Sequence, residues 1–144
     1  MRKYILILTV VITAVLFISF KPTKYSKVQV ENGEVKLPLK KMRDGRPHYY
    51  KQEINGQDIR FFVLMDNEGI VRVAFDACDV CFPEGKGYRQ EGDYMICNNC
   101  GQQFHESKIN VIKGGCNPAP IERIFDQNYV YIAFDSLADG ISYF

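Results

Sequence analysis

The chain alternates apolar and polar positions in short runs, and turn residues cut those runs at nearly even intervals. Val28 and Val30, then Asn32-Gly33, then Val35 and Leu37 spell one hairpin. Residues 48–54, the turn Asn55-Gly56-Gln57 and residues 59–65 spell a second, and Asp66-Asn67-Glu68-Gly69 leads to a further strand over 70–75. Near the end, 129–134 reads as another strand, followed by a helical turn over 136–139 capped by Asp135 or Ser136. The pattern predicts a mainly β domain, an antiparallel meander packed on one face. Tyr49, Tyr50, Phe61 and Phe62 read as its packing residues, not as a ligand box.

Residues 4–20 break this grammar, being uncharged and almost wholly apolar. As a helix the run reaches about 25 Å, close to the lower limit for crossing the hydrocarbon layer. It is longer than most signal-peptide cores and lacks a clean pair of small residues before a cut, so an uncleaved single-pass anchor is expected. Arg2 and Lys3 lie before it and Lys21, Lys24 and Lys27 after it. The short N-terminal tail sets that end in the cytoplasm and the domain on the extracytoplasmic side. Residues 21–27 are polar, contain Pro22 and read as a linker, which divides the chain into an anchor and linker, 1–27, and a domain, 28–144.

With 144 residues the chain holds one real core. Five of the 18 Lys and Arg precede residue 28 and none of the 17 acids does, so the remainder is mildly acidic. That excludes nucleic acid as a partner, since its binding needs a basic face. The basic run over 40–46 reads as a solvated loop.

Chemistry concentrates in the five cysteines. Cys78-x-x-Cys81 and Cys97-x-x-Cys100 are separated by fifteen residues, a spacing that lets each loop bring two sulfurs to one ion and two loops complete a tetrahedral shell. Rubredoxin-like iron sites and zinc ribbons share that spacing. Gly101 after the second loop permits positive φ and amides turned toward sulfur, whereas the first loop lacks such a glycine and is flanked by Asp76, Asp79 and Glu84. Cys116, carried by Gly114-Gly115 and followed by Asn117-Pro118-Ala119-Pro120, is a fifth candidate ligand. It has no role in a closed four-thiolate zinc site, but it can replace a cluster ligand, resolve a disulfide, coordinate a second metal or simply fill space under a turn. Two disulfides plus one free thiol are the competing structural explanation, and a thioredoxin-type pair lacks its βαβ setting. His48 and His105 are the only imidazoles, too few for a histidine-built site, and His105 reads as a surface or capping residue. No nucleophile-base-acid set or phosphate loop stands out, so the chain reads as an accessory and not as a catalyst with its own substrate.

The run from Phe75 to Cys81, the run from Gly87 to Gly101, and Gly114-Gly115-Cys116-Asn117-Pro118-Ala119-Pro120 together resemble the FtrD-like membrane iron-sulfur domain family. Residues 56–62, Asp135-Ser136-Leu137 and the final Tyr143-Phe144 agree with its flanks. The resemblance implies a membrane-associated protein with an iron-sulfur cluster or mononuclear iron as cofactor, zinc being the alternative. It also implies an electron-transfer or metal-handling role beside iron-transport membrane proteins. Many relatives carry further membrane helices, whereas this chain offers one such segment. On the thiol pattern, Cys78, Cys81, Cys97, Cys100 and Cys116 are the expected ligands. The rival reading is a structural zinc module in a protein-interaction domain.

Overall fold

The computed structural model describes residues 23–144. The run over 4–20, read above as the membrane helix, lies outside the described residues. Among those described, no helix is long and apolar enough to cross a membrane.

Strands form over the runs that alternation and turns predicted, and others form at 26–27, 88–91, 94–97, 103–105 and 124–125 that the pattern did not predict. Together they assemble differently. In chain order they are β1 (Ser26–Lys27), β2 (Val30–Glu31), β3 (Glu34–Pro38), β4 (His48–Ile54), β5 (Gln57–Met65), β6 (Val71–Phe75), β7 (Tyr88–Glu91), β8 (Tyr94–Cys97), β9 (Gln103–His105), β10 (Ile124–Phe125) and β11 (Tyr129–Ala133). They make three sheets in place of one meander: β1-β4-β5-β6, β10-β11-β3-β2 and β7-β8-β9. Asn55 and Gly56, at φ 52° and 81°, close the β4–β5 hairpin, with Ile54 opposite Gln57. Positive φ at both central residues matches the twist of the strands the turn joins.

The middle sheet is buried on both faces, which corrects the one-face expectation. Ile59, Phe61 and Val63 of β5 enter a core shared with Val35, Leu37, Val130, Ile132 and Leu137. Phe62 and Leu64, pointing the other way, enter a second core with Tyr88, Met95, Ile109, Cys78 and Cys97. The reason lies in the sequence: Phe61-Phe62-Val63-Leu64 is a continuous apolar run, and side chains alternate faces along a strand. Burying each of these large side chains is worth roughly 2 kcal/mol. The second core has the cysteines in its wall.

Three local expectations also shift. Residues 21–27 were read as linker, yet β1 pairs parallel with β4, Ser26 opposite Tyr50. The basic run folds into a 3-10 turn, Leu39–Asp44, pinned by buried Leu39 and Met42, while Lys40, Lys41 and Arg43 are exposed as a solvated loop requires. The C-terminal helix α1 is Phe134–Ala138, beginning earlier than expected and without a side-chain cap. The Phe134 amide donates to the Gly33 carbonyl at 2.9 Å, so the β2–β3 turn satisfies the helix start in place of Asp135 or Ser136.

Candidate metal centre

Backbone pairing delivers the five thiols from three stretches of chain to one end of the middle sheet. β6 ends at Phe75, and the Phe75 amide donates to Ala119 O while the Ala119 amide donates to Ala77 O, at 2.8 and 3.0 Å. That exchange lays the 116–120 segment beside the first cysteine loop. Cys97 closes β8, its amide donating to Gln102 O, and the Asn98 amide donates to Gly87 O. The second loop is thereby held against the start of β7.

All five cysteines are free thiols. Their sulfurs fall into two groups of three, Cys78-Cys81-Cys97 and Cys81-Cys100-Cys116, with each group's members within 4.8 Å of one another. The Cys81 and Cys116 sulfurs are 3.8 Å apart. A tetrahedral ion bound at about 2.3 Å needs every pair of its four sulfurs near about 3.8 Å. The loops were expected to combine as two intact pairs. Instead the second pair splits, Cys97 joining the first loop and Cys100 joining Cys116. Cys97 belongs to a strand and faces the core, whereas Cys100 lies in the turn that follows and is exposed. The first group is therefore walled by the core and the second faces outward.

Hydrogen bonding reverses the expected roles of the two loops. Gly101 has the positive φ foreseen, 76°, but its amide donates to Cys97 O and not to a sulfur. The amide-to-sulfur bond sits in the first loop, where the Cys81 amide donates to Cys78 Sγ at 3.2 Å. Burial disfavours the Cys78 thiolate, yet hydrogen bonds from the Tyr88 hydroxyl and the Cys81 and Val80 amides outweigh it and hold this thiol below its ordinary range. Cys116 goes the other way, pushed up to about 12 by desolvation and by its contacts with the Cys100 and Cys81 thiols. Gly114 and Gly115, at φ 90° and 64°, turn the chain that carries it.

Tyr88 is the site residue that sequence reading missed. It is 1% exposed, its amide donates to Asp76 Oδ1 at 2.6 Å, and its hydroxyl donates to Cys116 O at 2.6 Å within reach of Cys78 Sγ. Desolvation and the Cys78 sulfur push its phenol far above the ordinary value, so it is a fixed donor. Asp76, noted as an acidic flank, belongs to neither thiol group. Its buried carboxylate takes Lys24 Nζ at 2.6 Å and the Tyr25 hydroxyl at 2.5 Å, which locks the segment before β1 to the site. His105 caps the 3-10 turn Glu106–Lys108 by accepting from the Ser107 amide. His48 pairs with Asp44. Neither imidazole belongs to either thiol group.

Asp79, the second acidic flank, accepts from the Tyr143 hydroxyl at 2.6 Å, and Tyr143 packs edge-on against Phe82. The last turn of the chain thus clasps the first cysteine loop. Tyr143→Phe removes only the hydroxyl and is expected to cost about 1 kcal/mol in denaturant unfolding. It should also speed amide exchange over 79–85. Unchanged exchange there would show that the loop holds itself.

The family model described as "Membrane iron-sulfur containing protein FtrD-like" matches residues 42–144. No curated protein matches the chain.

Proposed function

Because this chain belongs to the FtrD-like family of membrane iron-sulfur containing proteins, we propose that it is a membrane-tethered accessory of iron uptake. In this reading its thiolate centre binds iron, as an iron-sulfur group or as a single ion, and passes on electrons or metal outside the cytoplasm. One observation carries it: residues far apart in the chain bring five free thiols into one continuous cluster. The residues fit the group by donor type, for both thiol sets are all sulfur, the donor that iron-sulfur groups and thiophilic ions take. When bound, such a group supplies one-electron exchange at a potential set by burial and by hydrogen bonds to sulfur.

The protein's own residues divide the work. Cys78 and Cys97 hold from the buried side, and the Cys81 amide with the Tyr88 hydroxyl stabilises thiolate charge at Cys78. Cys100 lies exposed and Cys116 half-buried, which leaves an approach for a donor, an acceptor or an ion. A zinc site that serves only to hold a fold is closed by four ligands, and this open side argues against it. Residues 4–20 supply the tether, and iron-transport proteins in the same membrane are the partners the role requires.

The full chain, purified in detergent without oxygen, is expected to carry iron, to absorb in the visible and to give a thiolate-iron paramagnetic signal. Acid-labile sulfide separates a cluster from a single iron. A colourless protein holding stoichiometric zinc would overturn the reading.

A further inference from the structure

An open groove of about 800 Å³, with no cysteine in its walls, is lined by β1, β3 and the start of β4. That volume is enough for a small ligand. Its charge is one-sided, with Lys24, Lys27, Lys36 and Lys41 set against Glu31. Asp76 neutralises Lys24, and Lys27 meets Glu53 at 3.7 Å with both side chains largely in water, a pair that holds little. Among the described residues, Lys36 and Lys41 form no salt bridge. Lys36 stands over the Tyr129 ring, 4.1 Å from its centroid. A ring face positions an ammonium without neutralising it, so its N–H donors stay free for a ligand. Lys41 is the member of the basic 3-10 turn that lines the groove, whereas Lys40 and Arg43 do not.

We propose that this groove binds the phosphate of an anionic phospholipid headgroup, with Lys36 and Lys41 as the charged donors and Ser26 and Gln29 as neutral ones. The donor set selects the anion. A lysine is a point charge and suits a tetrahedral oxyanion, which accepts from several directions, whereas a planar carboxylate favours the arginine fork. No arginine lines the groove. Val28, Leu37 and Pro47 give it an apolar wall, against which the glycerol and first methylenes of a lipid lose water.

Free phosphate shares this chemistry, and chain position favours the lipid. This step rests on the proposed tether and adds what the domain touches beside it. With residues 4–20 in the bilayer, Lys24 follows Phe20 by four residues, a reach of at most about 14 Å. The headgroup layer is itself about 5–8 Å deep. Lys24 and residues 26–29 line the groove, so it opens within reach of the lipid surface. Basic residues close to an anionic leaflet gain attraction that fades within a Debye length.

The test is amine acetylation, read by mass spectrometry, of the full chain in bilayer discs made of phosphatidylcholine alone or with about one third phosphatidylglycerol. Lys36 and Lys41 should react about fivefold more slowly in the anionic discs. Lys40 and Lys108, exposed and outside the groove, should react alike in both. Salt at about 0.5 M should abolish the difference. Lys36→Gln, a change at an exposed strand position, should return Lys41 to its rate in neutral discs. Equal slowing of Lys40 and Lys108 would overturn the site in favour of diffuse attraction. Unchanged labelling of Lys36 and Lys41 would overturn it and leave the tether standing. Slowing by inorganic phosphate in detergent, without a response to anionic discs, would overturn the lipid as occupant. Failure of the chain to enter either disc would overturn the tether and this inference together, and would leave the iron reading to its own test.

Discussion

Asp76→Ala is expected to lower the stability of the protein by about 3 kcal/mol and to release the segment before β1 from the domain. The carboxylate is wholly buried and accepts from Lys24 Nζ, the Tyr25 hydroxyl and the Tyr88 amide. Charge-assisted hydrogen bonds are the strong ones, and truncating their common acceptor leaves the Tyr88 amide buried without its partner. Lys24 is 36% exposed at its side chain and can return to water, so the loss stays near the lower end of the range for a broken buried pair. Lys24→Met and Tyr25→Phe each remove one arm and should cost about 1 kcal/mol. Denaturant unfolding at fixed metal content measures all three. A loss below about 1 kcal/mol for Asp76→Ala would mean that the carboxylate holds nothing the rest of the fold does not already hold.

The same contacts tie the segment before β1 to the thiol cluster. The segment before β1 meets the domain at Lys24, and its first anchor, Asp76, lies two residues before Cys78. Lys24 also donates to Tyr88 O at 3.0 Å and stands over the Tyr49 ring, 3.9 Å from its centroid. A cation over an aromatic face gains further attraction where water is partly excluded. The segment before β1 and the thiol cluster therefore share supports, and a domain started at residue 28 would lack two of the three partners of Asp76.

What the sequence revealed, and what it withheld, follows from the range of each signal. The β4–β5 and β5–β6 hairpins were legible because Asn55-Gly56 and Asp66 to Gly69 are local turn codes beside alternating strands. The pairing of β3 with β11, Leu37 opposite Val130, was not, since both strands carry the same alternation and nothing in it names a distant partner. β7 to β9 escaped because they are three or four residues long and two of them are mostly polar. The cysteines announced a metal site, but C-x-x-C spacing speaks only for sulfurs within one loop. It could not tell that Cys97 would face the core and Cys100 the solvent, or that Cys81 would stand between them.

Tyr88 is where that blindness matters most, because an aromatic at a strand start looks like packing and here is packing and ligand support at once. Tyr88→Ala should cost about 3–5 kcal/mol, since the ring fills the core between Phe62 and the sulfurs and its removal leaves a cavity beside two candidate ligands. Tyr88→Phe keeps the ring and isolates the hydroxyl. It should cost about 1–2 kcal/mol through the lost bond to Cys116 O. Metal affinity should fall roughly 10–100-fold in the Phe variant as well, because the hydroxyl both stabilises thiolate charge at Cys78 and fixes the backbone that carries Cys116. Competition with a coloured chelator reads the affinity, and chemical unfolding of the metal-free protein reads the stability separately. If Tyr88→Phe loses stability but binds metal as the unaltered chain does, the hydroxyl is only a tie between strand and loop. If affinity falls with stability nearly unchanged, the hydroxyl acts chiefly on sulfur, and the buried phenol is part of the metal centre.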